Sequence, residues 1–135
     1  MQWTTDPPKY GDIIRVKQQF YYHYGIFVSE ENIIQFGYRD NTDIPPDEIC
    51  VLSTDISQFS QGEIVEAQKL THREEKTRKP PEEIVAVATS RLGERGYNIL
   101  SNNCEHFVNE CAFGERRSFL DEVREAVRKK LSKIK

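Results

Sequence analysis

The sequence predicts an α+β domain in which an antiparallel sheet packs against helices, and three observations predict it. Residues 12–38 alternate aromatic or β-branched side chains with polar ones in short runs bounded by turn residues, the pattern of strands. Residues 80–114 instead carry apolar side chains at helical spacing, with proline or asparagine at the starts and glycine at the ends. The third observation is the order of the two, strands first and helices last.

Residues 1–11 read as an irregular lead-in, because Pro7 and Pro8 exclude helix and Gly11 punctuates the start of the first regular element. A strand is expected at 12–17. Residues 20–28 and 32–38 make two more, and Ser29, Glu30 and Glu31 form the tight polar connection of a hairpin. The Asp, Asn, Thr and Pro content of 39–47 predicts a loop, followed by a short strand at 48–52. Thr54 or Asp55 caps a helical turn through Phe59, and 63–68 is another strand. The charge-rich stretch 70–79 reads as a solvated loop. Pro80, Pro81, Glu82 and Glu83 then open a helix, with acids at the positive end of its dipole, and Ile84, Val85, Ala88 and Leu92 supply its buried face before Gly93. In the next helix Asn102 and Asn103 stand at the cap, Phe107, Val108 and Cys111 recur at helical spacing, and Gly114 stops the run. Ser118 and Asp121 open a last helix whose Phe119, Leu120, Val123, Ala126, Val127 and Leu131 form one stripe.

A chain of 135 residues has the size of one domain and buries a core without disulfide or metal staples. A net charge of -3 argues against a nucleic-acid binder that works by general phosphate attraction. The charge is uneven. Residues 115–135 hold eight Lys or Arg against four Asp or Glu, which leaves the first 114 residues near -7. The expected organisation is therefore a domain at 1–117 and a basic amphipathic helix at 118–135 that packs on it, the same pattern also suiting peripheral contact with an anionic membrane surface. Three cysteines, Cys50, Cys104 and Cys111, are an odd number without a leader pattern, so a reducing, cytoplasmic setting is expected. No apolar run approaches the roughly 20 residues that span a bilayer, so any membrane contact is expected to be peripheral.

Cys104 falls in the first turn of its helix, where unpaired N–H groups and the dipole favour a thiolate. It is a candidate nucleophile; the same position also suits a small buried apolar residue. A nucleophilic cysteine needs a base, and the chain offers three histidines. His106, two residues on, points about 200° round the axis from Cys104. His72 lies in the charged stretch, with no apolar neighbour to fix it. His23 lies within a strand, between Tyr22 and Tyr24, and is the best candidate. If Tyr24, Ile26, Val28, Ile34 and Phe36 share the core face of the hairpin, His23 and Gln35 share the other. A constant index sum of 58 or 60 brings those two side chains within reach, where the Gln35 amide oxygen accepts one imidazole proton and fixes the tautomer. An ordinary cross-strand polar contact explains the pair equally well. Zinc is set aside, since Cys104 and His106 point apart and no second ligand pair has zinc spacing; no cofactor is expected.

The segment Tyr97 to Phe107, with Asn-Cys-Glu-His-Phe at 103–107, resembles the signature of the lecithin retinol acyltransferase domain, a branch of the NlpC/P60 superfamily of papain-like thiol enzymes. The order of the early Gly-Asp-x-Ile strand at 11–14, the histidine strand at 23–28, the Leu-Gly at 92–93 and the cysteine helix is similar too. The resemblance covers about residues 10–118. It implies a circularly permuted papain-like fold, with the histidine strand preceding the cysteine helix. It also implies Cys104 as nucleophile, His23 as base and Tyr97 near the site, its hydroxyl helping to hold an oxyanion. The acyltransferases of the family carry a second histidine where this chain has Gln35, so the triad implied is Cys-His-Gln; papain-like enzymes also place a neutral amide in that role. Vertebrate members commonly continue into a membrane-spanning helix, whereas the tail here is basic and amphipathic. The function implied is thiol-dependent acyl transfer or hydrolysis with a lipid acyl donor, a phospholipid. A cysteine amidase or peptidase and a non-catalytic binding module are the alternatives.

Overall fold

In a computed structural model the protein is described at residues 2–19, 21–37, 48–97, 103–114 and 127–130. The strands β1 (Gln2–Thr4), β2 (Ile13–Lys17), β3 (Tyr22–Ser29), β4 (Asn32–Gly37), β5 (Cys50–Thr54) and β6 (Glu66–Lys69) form one sheet. Its order is β1-β6-β2-β3-β4-β5, and every neighbouring pair is antiparallel. Helices α1 (Ile56–Ser60), α2 (His72–Glu75), α3 (Pro81–Ser90) and α4 (Cys104–Phe113) complete the described elements. The α+β class expected from the sequence is the class observed.

Strand alternation divides the core in two. Ile13, Ile26, Ile34, Phe36 and Val51 point to one face and pack against Ile84, Val85 and Ala88 of α3 and Cys104, Phe107, Val108 and Cys111 of α4. Ile14, Val16, Phe27, Ile33 and Ala67 point to the other, where Phe59 of α1 covers them. Both faces of β3 and β4 are therefore buried, which explains why these strands read as near-continuous apolar and aromatic runs. The two helices on the first face begin as their residues dictate. Proline at the first position, with Glu82 and Glu83 in the first turn, opens α3, and the Asn103 side chain caps α4.

The structure departs from the sequence reading in four places. The lead-in contains β1, which pairs with β6. Trp3 holds it there, its ring 5.9 Å from that of Tyr24 and 4.1 Å from the Arg15 guanidinium. The stretch at 70–79 contains α2, one exposed turn closed by a capping box between Thr71 and Glu74. Leu92 lies beyond the end of α3 and is exposed rather than buried. The strands expected at 48–52 and 63–68 begin later, at Cys50 and Glu66. Residues 127–130 are helical and exposed; the rest of the helix expected at 118–135, apart from these, lies outside the described residues. No helix among the described residues is long and apolar enough to cross a membrane.

Gly11 joins the sheet to α3. Its φ is +87°, its N–H donates to the Phe27 carbonyl at 2.8 Å, and a Cβ built on it would lie 2.8 Å from Pro81 Cβ. Gly11→Ala is expected to destabilise the fold by about 2 kcal/mol, from left-handed strain plus overpacking. Urea unfolding of the two proteins at neutral pH checks this.

Candidate active site

The cysteine helix is closed at its start by its own side chains. Asn103 Oδ1 accepts from the Glu105 and His106 N–H groups at 3.0 and 3.1 Å, and His106 Nδ1 accepts in turn from the Asn103 N–H at 3.1 Å. His106 is thus the return arm of a capping box, buried and turned to the helix cap, in keeping with its exclusion as the base. The box fixes the first turn, and with it the position of Cys104.

Cys104 is 4% exposed. Burial pushes its thiol up to about 11, against the opposite pull of hydrogen bonds from the backbone N–H groups of Tyr24, Cys104 and Glu105. The helix start does favour the thiolate, as the sequence suggested, but desolvation outweighs it. The Tyr24 N–H is a donor from β3. The described ladder between β3 and β4 runs from Ser29↔Asn32 to Gly25↔Gln35, and Tyr24 is the next residue beyond it.

His23 lies one residue further along the same strand, with its side chain on the opposite, α1 face. The observed index sum is 60, so Gln35 stands opposite Gly25 and diagonal to His23. The Gln35 amide oxygen accepts a hydrogen bond from His23 Nε2, which leaves Nδ1 as the unprotonated nitrogen. Gln35 Nε2 donates at 2.7 Å to the buried Thr54 hydroxyl. The imidazole also meets the Phe59 ring, with centroids 5.3 Å apart. The same register puts Gly37 across from His23, and a Cβ on residue 37 would lie 2.9 Å from His23 Cε1. The ring occupies the space that a side chain would fill. Burial lowers the His23 pKa below its ordinary 6.5, and the Gln35 bond opposes that shift by favouring the charged form. His23 is therefore a neutral imidazole at neutral pH.

The structure joins His23 to Gln35 and separates them from the other two expected residues. Cys104 belongs to the cluster on the α3 and α4 face, and Tyr97 packs there too, its ring edge-on to Phe36 at 5.2 Å. Cys104 and His23 do not hydrogen-bond to each other; they are linked through consecutive residues of β3. Beside His23 a small cleft is lined by Gln18, Tyr21, Gln35, Gln58, Phe59 and Gln61. Its volume of about 20 Å³ suits one water molecule, not an acyl chain. Gly37, Thr54 and the Tyr24 N–H were missed from sequence. Gly37 was available from the index sum that paired His23 with Gln35.

The thiol's raised pKa has a consequence for stability. Folding keeps the proton on Cys104 between its ordinary value of 9.0 and about 11, so the unfolded chain binds fewer protons there and stability falls as pH rises through that window. Cys104→Ser removes this contribution. Between pH 8 and 11 it is expected to lose about 2 kcal/mol less stability than the parent protein, measured by urea unfolding across pH.

Comparison with known proteins follows from the same residues. The family model described as lecithin retinol acyltransferase matches residues 6–117. The mouse protein named phospholipase A and acyltransferase 3 is 32% identical over 137 residues, covering 90% of this chain and 79% of its own. Its human counterpart is 28% identical over 136 residues, with 89% and 78% covered. The mouse protein named lecithin retinol acyltransferase is 25% identical over 157 residues, with 92% and 64% covered.

Proposed function

The chain belongs to the lecithin retinol acyltransferase family, and from that premise we propose that it is a thiol enzyme that cleaves a glycerophospholipid ester through a thioester on Cys104. In this reading the Cys104 sulfur attacks the ester carbonyl while its proton passes to His23 Nδ1, directly or through one water. The carbonyl π electrons move to oxygen, and the tetrahedral oxyanion takes the Cys104 N–H, the first-turn donor that the Asn103 cap does not occupy. Collapse expels the lysolipid alkoxide, which takes the proton from His23. Water or an acceptor alcohol or amine then attacks the thioester, giving its proton to His23, and the thiol is restored.

One arrangement carries this reading: a neutral imidazole, its Nε2 held by Gln35, on the strand residue adjacent to the one whose N–H reaches the Cys104 sulfur. Both groups rest uncharged, so the proton moves as the sulfur attacks and no standing thiolate–imidazolium pair is required. Because the two side chains lie on opposite faces of β3 in the free protein, this reading requires that they come together when substrate binds. The names of the relatives support a lipid acyl donor.

Purified protein offered phosphatidylcholine vesicles is expected to release fatty acid or acylate an added amine, and Cys104→Ala to lose that activity. Turnover of peptides with none of lipid would replace the substrate class and keep the chemistry. A second reading, a non-catalytic binding module, draws on the buried, protonated state of Cys104 and on Gln35 at the family's histidine position. It requires that no ester be turned over at all.

The pH profile tests the base. Because the His23 pKa is lowered, activity is expected to persist below pH 6.5 and to fall only on further acidification. Gln35→Ala removes the bond that raises this pKa, so the acid limb is expected to move to lower pH while kcat/KM drops about tenfold.

A further inference from the structure

Gln35 is an unusual partner for a catalytic imidazole because its amide has two unlike ends, and only one of them faces His23. The other end is buried as well: Gln35 is 1% exposed and Thr54 3%. A buried amide N–H₂ without an acceptor is costly enough to turn the group or draw it away from its first partner. The Thr54 hydroxyl, 2.7 Å from Gln35 Nε2, removes that cost. Thr54 reaches this position because β5 pairs with β4 in a register that sets Thr54 opposite Ile33, two residues from Gln35 on the same face. The neighbouring hydroxyl is not equivalent. Ser53 points the other way along the strand and donates to Asn32 at the exposed end of the hairpin.

We propose that Thr54 is a positioning residue for the reaction, the last link of a His23–Gln35–Thr54 chain that keeps the Gln35 oxygen on His23 Nε2 and His23 Nδ1 free to take the proton. This rests on the reading of His23 as the base. The chain supplies what a charged or ionisable third residue supplies elsewhere, a fixed tautomer and a fixed ring, using only neutral groups. Thr54 touches no reacting atom and acts only through Gln35.

Four variants test it: Thr54→Val, which keeps the shape and removes the hydroxyl, Thr54→Ser, which keeps the hydroxyl, Gln35→Ala, and the double variant Gln35→Ala with Thr54→Val. Fatty acid release from phosphatidylcholine vesicles gives kcat and KM, and the nitrogen-15 shifts of the His23 ring report its tautomer. Thr54→Val is expected to lower kcat about tenfold with KM changed less than about twofold, and to turn a single Nε2–H tautomer into a mixture. Thr54→Ser is expected to restore both. In the Gln35→Ala background Thr54→Val is expected to add no further loss. Parent kcat and tautomer in Thr54→Val overturn the proposal, as do losses that multiply in the double variant, which would mark Thr54 as a packing residue. Should Thr54→Val not fold, the failure of Thr54→Ser to keep parent kcat and tautomer has the same force. Cys104→Ala separates the two levels: if it retains activity the thiol reading itself fails, and if it is inactive while Thr54→Val behaves as parent, only the role of Thr54 fails.

Discussion

The register of the β3–β4 hairpin is the constraint from which the candidate site follows. With partners summing to 60, His23, Gly25, Gln35 and Gly37 fall on one face. Gly37 leaves room for the imidazole, Gly25 leaves room beside Gln35 for Phe59, and Gln35 reaches His23 on the diagonal. A slip of one residue would turn Gln35 to the helix face and bring Ile34 or Phe36 against His23. Burial of apolar side chains on both faces of the hairpin makes such a slip expensive, so the polar contact inherits its precision from the core around it.

The same sheet decides how the thiol is held. At the end of the described ladder the Tyr24 N–H turns to the Cys104 sulfur, and α4 brings the sulfur there from the opposite layer. Burial wins over three favourable N–H contacts and keeps the thiol protonated, just as it keeps His23 neutral. Two neutral partners suit a mechanism in which charge develops only when a carbonyl is present to be attacked. Such a site remains protected from adventitious alkylation and oxidation, which act on the exposed thiolate.

Much of this was legible in the chain. Alternation assigned His23 and Gln35 to one face, helical spacing placed Cys104 at a capped start, and the angle between Cys104 and His106 excluded the nearest histidine. Each of these depends on local periodicity, which a sequence displays directly. Thr54 was out of reach because twelve residues, 38–49, separate its strand from β4, and no turn of known geometry sets the register across them. β1 escaped because three residues show no period, and it is Trp3 packing on Tyr24 and Arg15 that holds it. The rise in the Cys104 pKa was out of reach because a helix start is visible in sequence and depth of burial is not.

The centre of the proposed mechanism is that Cys104 forms a bond to the acyl carbon. Intact-mass measurement after brief mixing with phosphatidylcholine vesicles, followed by peptide mapping, tests it directly. An adduct of one fatty acyl group on Cys104, released by hydroxylamine and absent in Cys104→Ser, is the expected result. Fatty acid release by the parent protein with no adduct at any time point, and equal release by Cys104→Ser, would contradict it.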